Sequence, residues 1–255
     1  MTSVEELYER WAGESELDVR LGESLDPRGK ESLFELFASL GPEPGQLVVD
    51  VGARDGRHLA RLVREHDLRG VAIDPVPQHV RLAREATAGL DVEVVRGVVE
   101  ALPLPDASAD WIWCRDVLVH VDVERGLAEC ARVLKRGGKM IAYVTLATDL
   151  LEAREAAWLT DACALRNLDP DRLERAAAAV GLAPTEKLEI GGEWRERMIE
   201  DGEWDPADAL LRVSRLRRRG ESGAEAEATA ADNVWGVYQL LGKLCPTVYV
   251  WEQRG

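Results

Sequence analysis

Residues 47–58 read LVVDVGARDGRH, and residues 71–75 read VAIDP. Both segments contain an apolar run with the length of a buried strand. The first run leads into a glycine turn and a helix, whereas the second ends at a carboxylate, Asp74. Glycine lets a backbone approach a ligand closely, and an acid at the end of the next strand can accept hydrogen bonds from both ribose hydroxyls. This layout predicts a site for a nucleotide-type cofactor.

Apolar strands and amphipathic helices alternate along most of the chain. We predict strands at residues 46–53, 70–74, 92–98, 111–116, 139–146, 187–190 and 246–251. We predict helices at residues 4–11, 27–40, 56–66, 77–89, 123–134, 150–164 and 169–180, and a Gly-Gly turn at residues 135–138. Short apolar runs between amphipathic helices are typical of a parallel sheet that is buried on both faces.

Composition and charge limit the class of protein. The chain has 255 residues, of which 46% are hydrophobic, and this is enough for one large α/β domain. The net charge of −15 argues against a nucleic-acid partner. No apolar run approaches the ~18 residues of a membrane span, and the acidic start is unlike a signal peptide. Four scattered cysteines predict neither a disulfide framework nor a zinc site, so we expect a cytoplasmic protein without a metal.

Three motifs together resemble those of class I S-adenosylmethionine (SAM)-dependent methyltransferases of the small-molecule branch. Residues 50–56 match the first motif of that superfamily, residues 97–106 resemble its adenine-side loop, and residues 132–138 match the turn before its fifth strand. The resemblance implies SAM as cofactor. It implies the following cofactor-binding residues: Asp50, Gly52, Ala53, Arg54, Gly56, Asp74, Pro75, Val98, Val99, Glu100 and Arg115.

The chain departs from the family pattern at two positions. Arg54 replaces the usual middle glycine of the first motif, and we expect its side chain to point away from the sulfonium, toward Asp55 or the methionine carboxylate. Val98 replaces a common acid that binds the adenine amino group, so adenine would rely on backbone amides and apolar packing. A nicotinamide dehydrogenase would instead require G-x-G-x-x-G, which residues 52–57 do not supply.

With this resemblance, we predict an α/β fold with a Rossmann-like, seven-stranded, mainly parallel sheet and helices on both faces. Residues 1–255 would form a single methyltransferase domain. A helical N-terminal lid would occupy residues 1–45, and the SAM-binding core residues 46–146. The substrate-side half would span residues 147–255, with an insertion of two helices at about residues 195–244 before the last strand.

The predicted fourth strand leads into a segment with two candidate catalytic residues, Asp116 and His120. Ligands of open α/β sheets lie beyond the carboxyl ends of the strands. A carboxylate there can hold an ammonium group, and a histidine can remove the proton that the amine must lose. Residues 114–120 also resemble the Ser-Arg-Asp-x-x-x-His segment of phosphoethanolamine N-methyltransferases, with Cys114 in place of the serine. That resemblance implies a catalytic dyad and an N-terminal tyrosine over the site, for which Tyr8 is the candidate.

Simpler roles remain open for several of these side chains. His120 is either the general base or a half-buried histidine that bonds a loop carbonyl, and Asp116 is either functional or a cap of the following turn. Trp194 and Trp235 lie in the half of the chain expected to cover the acceptor. They would contact a cationic or planar substrate, or else belong to the core.

We therefore expect an enzyme that moves a methyl group from SAM to a small-molecule acceptor, with an amine nitrogen favoured. Oxygen and carbon acceptors are the alternatives within this class. From a different class, the chain would be a SAM-binding partner subunit without catalysis. We expect a monomer or a homodimer, and no nucleic-acid or membrane partner.

Overall fold

The computed structural model describes residues 3–11 and 16–254. The strands are β1 (Leu47–Val51), β2 (Arg69–Asp74), β3 (Val92–Arg96), β4 (Ala109–Arg115), β5 (Leu134–Ala147), β6 (Leu182–Glu189) and β7 (Leu244–Gln253). The helices are α1 (Val4–Trp11), α2 (Glu16–Leu21), α3 (Ser32–Ser39), α4 (Arg57–His66), α5 (Pro77–Ala86), α6 (Val123–Val133), α7 (Ala153–Ala162), α8 (Pro170–Ala179), α9 (Glu193–Glu200), α10 (Pro206–Arg219) and α11 (Ala224–Leu240). None of the helices in this described part is long and apolar enough to span a membrane.

The seven strands form one sheet in the order β3-β2-β1-β4-β5-β7-β6. Strands β1 to β5 pair in parallel, and β7 lies antiparallel between β5 and β6. This confirms the predicted Rossmann-like, mainly parallel sheet. Chain order reverses on either side of β1, so the carboxyl ends of β1 and β4 lie beside each other where α/β folds bind ligands.

Helices cover both faces of the sheet, as predicted. On β4, Ile112 and Cys114 belong to one buried cluster with α6 and α8. Trp111 and Trp113 belong to the opposite cluster with α3 and α4. Successive residues of a strand point to opposite faces, so each β4 side chain is buried whichever way it points. The two tryptophans therefore pack on a sheet face, as their alternation indicates.

The N-terminal segment differs from the prediction. Residues 16–21 form a helix outside those predicted from the sequence, and the predicted helix at residues 27–40 begins only at Ser32. Arg28 explains the late start, because its backbone N–H and side chain donate to the Glu193 carboxylate on α9. The Pro27 carbonyl likewise accepts from Arg197 Nε at 3.0 Å. These contacts tie residues 27 and 28 to α9 in place of a helical turn.

The C-terminal half also differs in detail. The insertion contains three helices, α9 to α11, instead of two, because the α9 segment forms a separate short helix that ends before Gly202 at φ +70°. Strand β6 begins five residues earlier than predicted, at Leu182. Its edge position leaves most side chains half-exposed or exposed, which weakens the apolar pattern. The predicted Gly-Gly turn lies inside β5, where the pairing with β4 shifts register.

Candidate active site

The glycine turn joins β1 to α4 at the carboxyl edge of the sheet. Gly52 and Gly56 have φ values of +74° and +71°, a conformation that side chains disfavour. An added Cβ would lie 2.3 Å from Val117 Cγ2 at Gly52 and 2.9 Å from Ala83 Cα at Gly56. The two glycines therefore allow the turn to pack against the segment after β4 and against α5. Ala53 between them is buried.

Asp74 ends β2 directly beside this turn. Its Oδ2 accepts the Arg54 backbone N–H at 2.9 Å, and its Oδ1 accepts the Val76 N–H at 2.9 Å. His79 Nδ1 on α5 lies 3.0 Å from the same Oδ1. A carboxylate has about four acceptor positions, so three protein donors leave about one for a ribose hydroxyl. The sequence indicated the position of Asp74 but not its histidine partner.

The loop after β3 provides the expected apolar surface. Val98 is 44% exposed, whereas Val99 is buried in the core. Glu100 Oε1 accepts the Asp122 backbone N–H at 3.3 Å, and Pro75 on the neighbouring loop is exposed. An exposed valine at the carboxyl edge suits contact with a flat, weakly polar ring such as adenine.

A cavity of about 940 Å³ lies next to this edge. Six of the sequence-predicted residues line it: Arg54, Arg115, Asp116, His120, Trp194 and Trp235. The structure thus brings together residues from the glycine turn, the end of β4, α9 and α11. Tyr8 on α1 is 63% exposed and is not among the described residues that line this cavity.

Arg54, from the glycine turn, and Arg115, from the end of β4, supply positive charge to the cavity. Arg54 lines the cavity, and Asp55 contacts Arg57 at 3.4 Å. Of the two directions expected for the Arg54 side chain, toward Asp55 or toward the methionine carboxylate, the second stays a prediction. Arg115 Nη1 donates to His58 Nε2 at 3.1 Å. Burial and the Arg115 charge lower the pKa of His58 to about 4, so His58 stays a neutral acceptor.

Two buried or half-buried carboxyls lie close to Arg115. Burial, reinforced by the nearby Asp74 charge, raises the pKa of Asp50 on β1 to about 7. Burial raises the pKa of Asp116 to about 6, and the Arg115 charge and a hydrogen bond from Thr145 Oγ1, at 3.3 Å, limit that rise. Asp116 accordingly titrates close to neutral pH and is mostly ionised above it.

His120 follows Asp116 by one turn of chain. Its backbone N–H donates to the Val117 carbonyl at 2.9 Å, so the segment coils and both side chains reach the cavity. The ring is exposed, and its Nδ1 lies 3.5 Å from the Ala164 carbonyl. This contact is too long for a strong hydrogen bond. The ring is therefore accessible to a ligand from the cavity.

An aromatic pair forms one wall of the cavity. Trp194 stacks on Tyr143 with ring centroids 4.5 Å apart and planes within 4°. The Arg115 guanidinium already lies over both rings, at 5.7 Å and 5.8 Å from their centroids. Trp194 is buried and donates its Nε1–H to Ser32 Oγ at 3.3 Å, whereas Trp235 is half-buried. Trp194 thus belongs to both the core and the cavity.

Sequence reasoning missed the polar residues of the cavity roof. Arg195 on α9 and Gln239 on α11 both line the cavity, and Arg195 Nε donates to Gln239 Oε1 at 2.8 Å. The one available signal was Gly236, a glycine in the interior of a 17-residue helix. Glycine is unfavourable there and indicates close packing. Among the described residues, no cluster of three or more metal-ligating side chains occurs.

Residues 49–142 match the model of a methyltransferase domain family. The dimethylglycine N-methyltransferase of Parasynechococcus marenigrum (strain WH8102) is 30% identical over 234 residues, which cover 86% of this chain and 81% of that protein. A Galdieria sulphuraria structure, provisionally named a sarcosine dimethylglycine methyltransferase, has a TM-score of 0.69 and 19% identity, covering 92% of this chain and 95% of that one.

A third similarity is to Haemonchus contortus phosphoethanolamine N-methyltransferase 2, solved with phosphomonomethylethanolamine and S-adenosylhomocysteine. The TM-score is 0.69 at 15% identity, and the alignment covers 90% of this chain and 54% of that one. The structures support the fold, and the curated relative supports the family. The chain therefore belongs to the class I SAM-dependent methyltransferases, enzymes that take their methyl group from SAM.

Proposed function

We propose that this enzyme methylates the nitrogen of a small amine. The observation that supports this most strongly is the position of Asp116 and His120 on one cavity wall. An alkylammonium has a pKa near ~10, so an amine arrives protonated and cannot attack until it loses the proton. Asp116 would hold the ammonium end, and His120 would accept the proton through its exposed ring. The relatives named above for dimethylglycine and phosphoethanolamine also act on amines by name.

The cofactor residues have complementary proposed roles. SAM, when bound, supplies an electrophilic methyl group. The chemistry of the donor set fits SAM, because Asp74 can accept from a ribose hydroxyl and the two cavity guanidiniums of Arg54 and Arg115 can bind a methionine carboxylate. Val98, Val99, Pro75 and Glu100 would border the adenine. Asp50, on β1, would support the conformation of the glycine turn.

The acceptor would lie between the edge of β4 and the inserted helices. Trp235 would contact its apolar part, and Tyr8 would reach it only if the N-terminal helices close over the cavity as a lid. We propose that residues 1–255 act as one methyltransferase domain. Since closure excludes water, most of the rate acceleration would come from positioning and desolvation.

The test is a screen of methyl transfer to amines, phenols and prenyl-type carbons, measured as S-adenosylhomocysteine release. We expect turnover with amines. Asp116→Asn should mainly raise KM for the amine, whereas His120→Ala should lower kcat by ~10²-fold or more. Turnover confined to hydroxyl or carbon acceptors would contradict the proposal. Near-parental kcat in His120→Ala would show that the histidine is structural.

A further inference from the structure

Arg195 is held in a defined position in the roof of the cavity. Its Nε donates to Gln239 Oε1, and Gln239 is itself only 3% exposed. Its guanidinium carbon lies 5.2 Å from the centroid of the Trp204 ring. These two contacts, one from α11 and one from the loop after α9, leave the guanidinium little rotational freedom.

Gly236 provides the space that this arrangement needs. A Cβ at this position of α11 would lie 2.8 Å from Trp204 Cζ2, 3.0 Å from Arg195 Nε and 3.1 Å from Arg195 Cζ. Helix interiors disfavour glycine, so its presence at this point needs a compensating packing role. The packing role of Gly236 is to leave room for the Arg195 guanidinium and the Trp204 indole beside α11.

Among the described residues, Arg195 forms no ion pair with a carboxylate, and its charge acts at longer range on Asp116 in the same cavity. Two other cations of the same cavity do form such pairs: Lys30 with Glu203 at 2.9 Å, and Arg197 with Asp26 at 2.8 Å. Arg54 and Arg115 line the cavity without such a pair in the described part of the chain, and they are the cations proposed above for the methionine carboxylate of SAM. Arg195 instead bonds a neutral amide and contacts the Met198 sulfur at 3.9 Å. Since Nε is engaged and Nη1 donates one N–H to the Met198 sulfur, Nη2 and the second N–H of Nη1 are the groups that can bind a ligand. A half-buried guanidinium without a counter-ion is suited to bind an anion.

We propose that Arg195 binds a carboxylate of the methyl acceptor, so that the acceptor is an amino acid whose nitrogen receives the methyl group. This inference rests on the proposed amine methylation. The paired terminal nitrogens of a guanidinium match the two oxygens of a carboxylate. With Arg54 and Arg115 assigned to SAM, Arg195 is the cation left for the acceptor, and its single charge matches a carboxylate rather than a phosphate dianion. Asp116 faces the same cavity as Arg195 and would hold the ammonium end.

The experiment compares two probes that differ at one end, N,N-dimethylglycine and N,N-dimethylethanolamine. Calorimetry on the full chain saturated with S-adenosylhomocysteine gives their affinities, and methyl transfer gives their kcat/KM. We expect the parent to prefer the carboxylate probe by about tenfold or more, the scale of a charge-assisted hydrogen bond. Arg195→Gln should abolish most of this preference. Gly236→Ala should reduce it too, because the new methyl group displaces the guanidinium.

Arg197→Lys is the matched control, since it alters a cation of the same helix that already has carboxylate partners. It should leave the ratio between the two probes unchanged. S-adenosylhomocysteine binding and thermal melting of each variant verify that it is folded. An equal preference for both probes in the parent, or an unchanged ratio in folded Arg195→Gln, would overturn the inference. Loss of turnover with both probes, while the binding ratio still depends on Arg195, would instead contradict the proposed amine chemistry.

Discussion

Two residues other than glycine adopt a left-handed backbone at the carboxyl edge of the sheet. They are Arg54, with φ +50°, and Asp116, with φ +54°. This conformation is uncommon for side chains that carry a Cβ and costs about 1–2 kcal/mol. Such outliers are concentrated at functional sites, where the surrounding structure maintains them. Both residues line the same cavity, in agreement with the proposed site.

Replacing Arg54 with glycine separates backbone strain from ligand binding. Arg54→Gly keeps the N–H that Asp74 accepts and relieves the left-handed strain, so the free energy of unfolding should stay constant or rise by up to about 1 kcal/mol. Affinity for S-adenosylhomocysteine should fall about three- to tenfold, since a cation that binds the methionine carboxylate is lost. Urea unfolding and calorimetry measure the two effects.

Arg54→Lys is the control, because it retains the charge and should retain most of the affinity. Equal affinity in Arg54→Gly and the parent would exclude the side chain as a cofactor ligand.

The pH dependence of the reaction should reflect the titration of Asp116. The pKa of Asp116 is raised to about 6 by burial, so the carboxylate that binds an ammonium forms as the pH rises through about 6. The value of kcat/KM for an amine should increase over that interval. Thr145→Val should move the increase to higher pH, because the Thr145 hydroxyl favours the ionised form through its hydrogen bond.

The comparison is between profiles of kcat/KM against pH for the parent, Asp116→Asn and Thr145→Val. Asparagine tolerates a positive φ, so Asp116→Asn should keep the backbone intact. A pH profile that is identical in the parent and Thr145→Val would show that Asp116 does not control it.

At the scale of elements, the packing of the glycine turn on α5 should make Gly56 intolerant of substitution. Gly56→Ala places a methyl group 2.9 Å from Ala83 Cα, so α5 must move in addition to the cost of the positive φ. Gly89→Ala is the matched control, with φ +80° and no atom within 4 Å of the added Cβ. The control should lose about 1–2 kcal/mol, and Gly56→Ala about 1–3 kcal/mol more.

Denaturant unfolding of both variants tests the difference. Equal losses of stability would mean that the turn and α5 adjust freely to each other.

At the scale of the whole molecule, binding of S-adenosylhomocysteine should raise the thermal stability. A ligand at 100 times its Kd adds about 2.7 kcal/mol, which for a chain of this size is a shift in Tm of about 5–10 °C. Asp74→Ala should reduce the shift markedly. Because this variant also leaves the Arg54 and Val76 amides without their acceptor, the ligand-induced shift is compared rather than Tm itself.

NADH is the control ligand for the same melting experiment. It should produce no shift, since the turn lacks the glycine spacing of a dinucleotide site. A shift with NADH and none with S-adenosylhomocysteine would contradict the cofactor assignment.

The amino-acid sequence by itself determined the core of this protein and the edge on which its site lies. Strand and helix periods are local properties, so β1, β2 and β4 could be placed to within a few residues. In a parallel sheet the residues that end these strands meet at one edge. Asp74 and Asp116 could therefore be assigned to that edge without knowledge of any other contact.

Only the tertiary structure decided what surrounds that edge. The direction of the Arg54 side chain, the His79 contact to Asp74 and the cavity roof all depend on contacts between distant segments. Arg195 lies 79 positions after Asp116 in the sequence, on a helix whose local pattern contains no information about its partners. Its position follows from the packing of α9 against α11 beside Gly236, and such packing is encoded by complementary shapes rather than by periodicity.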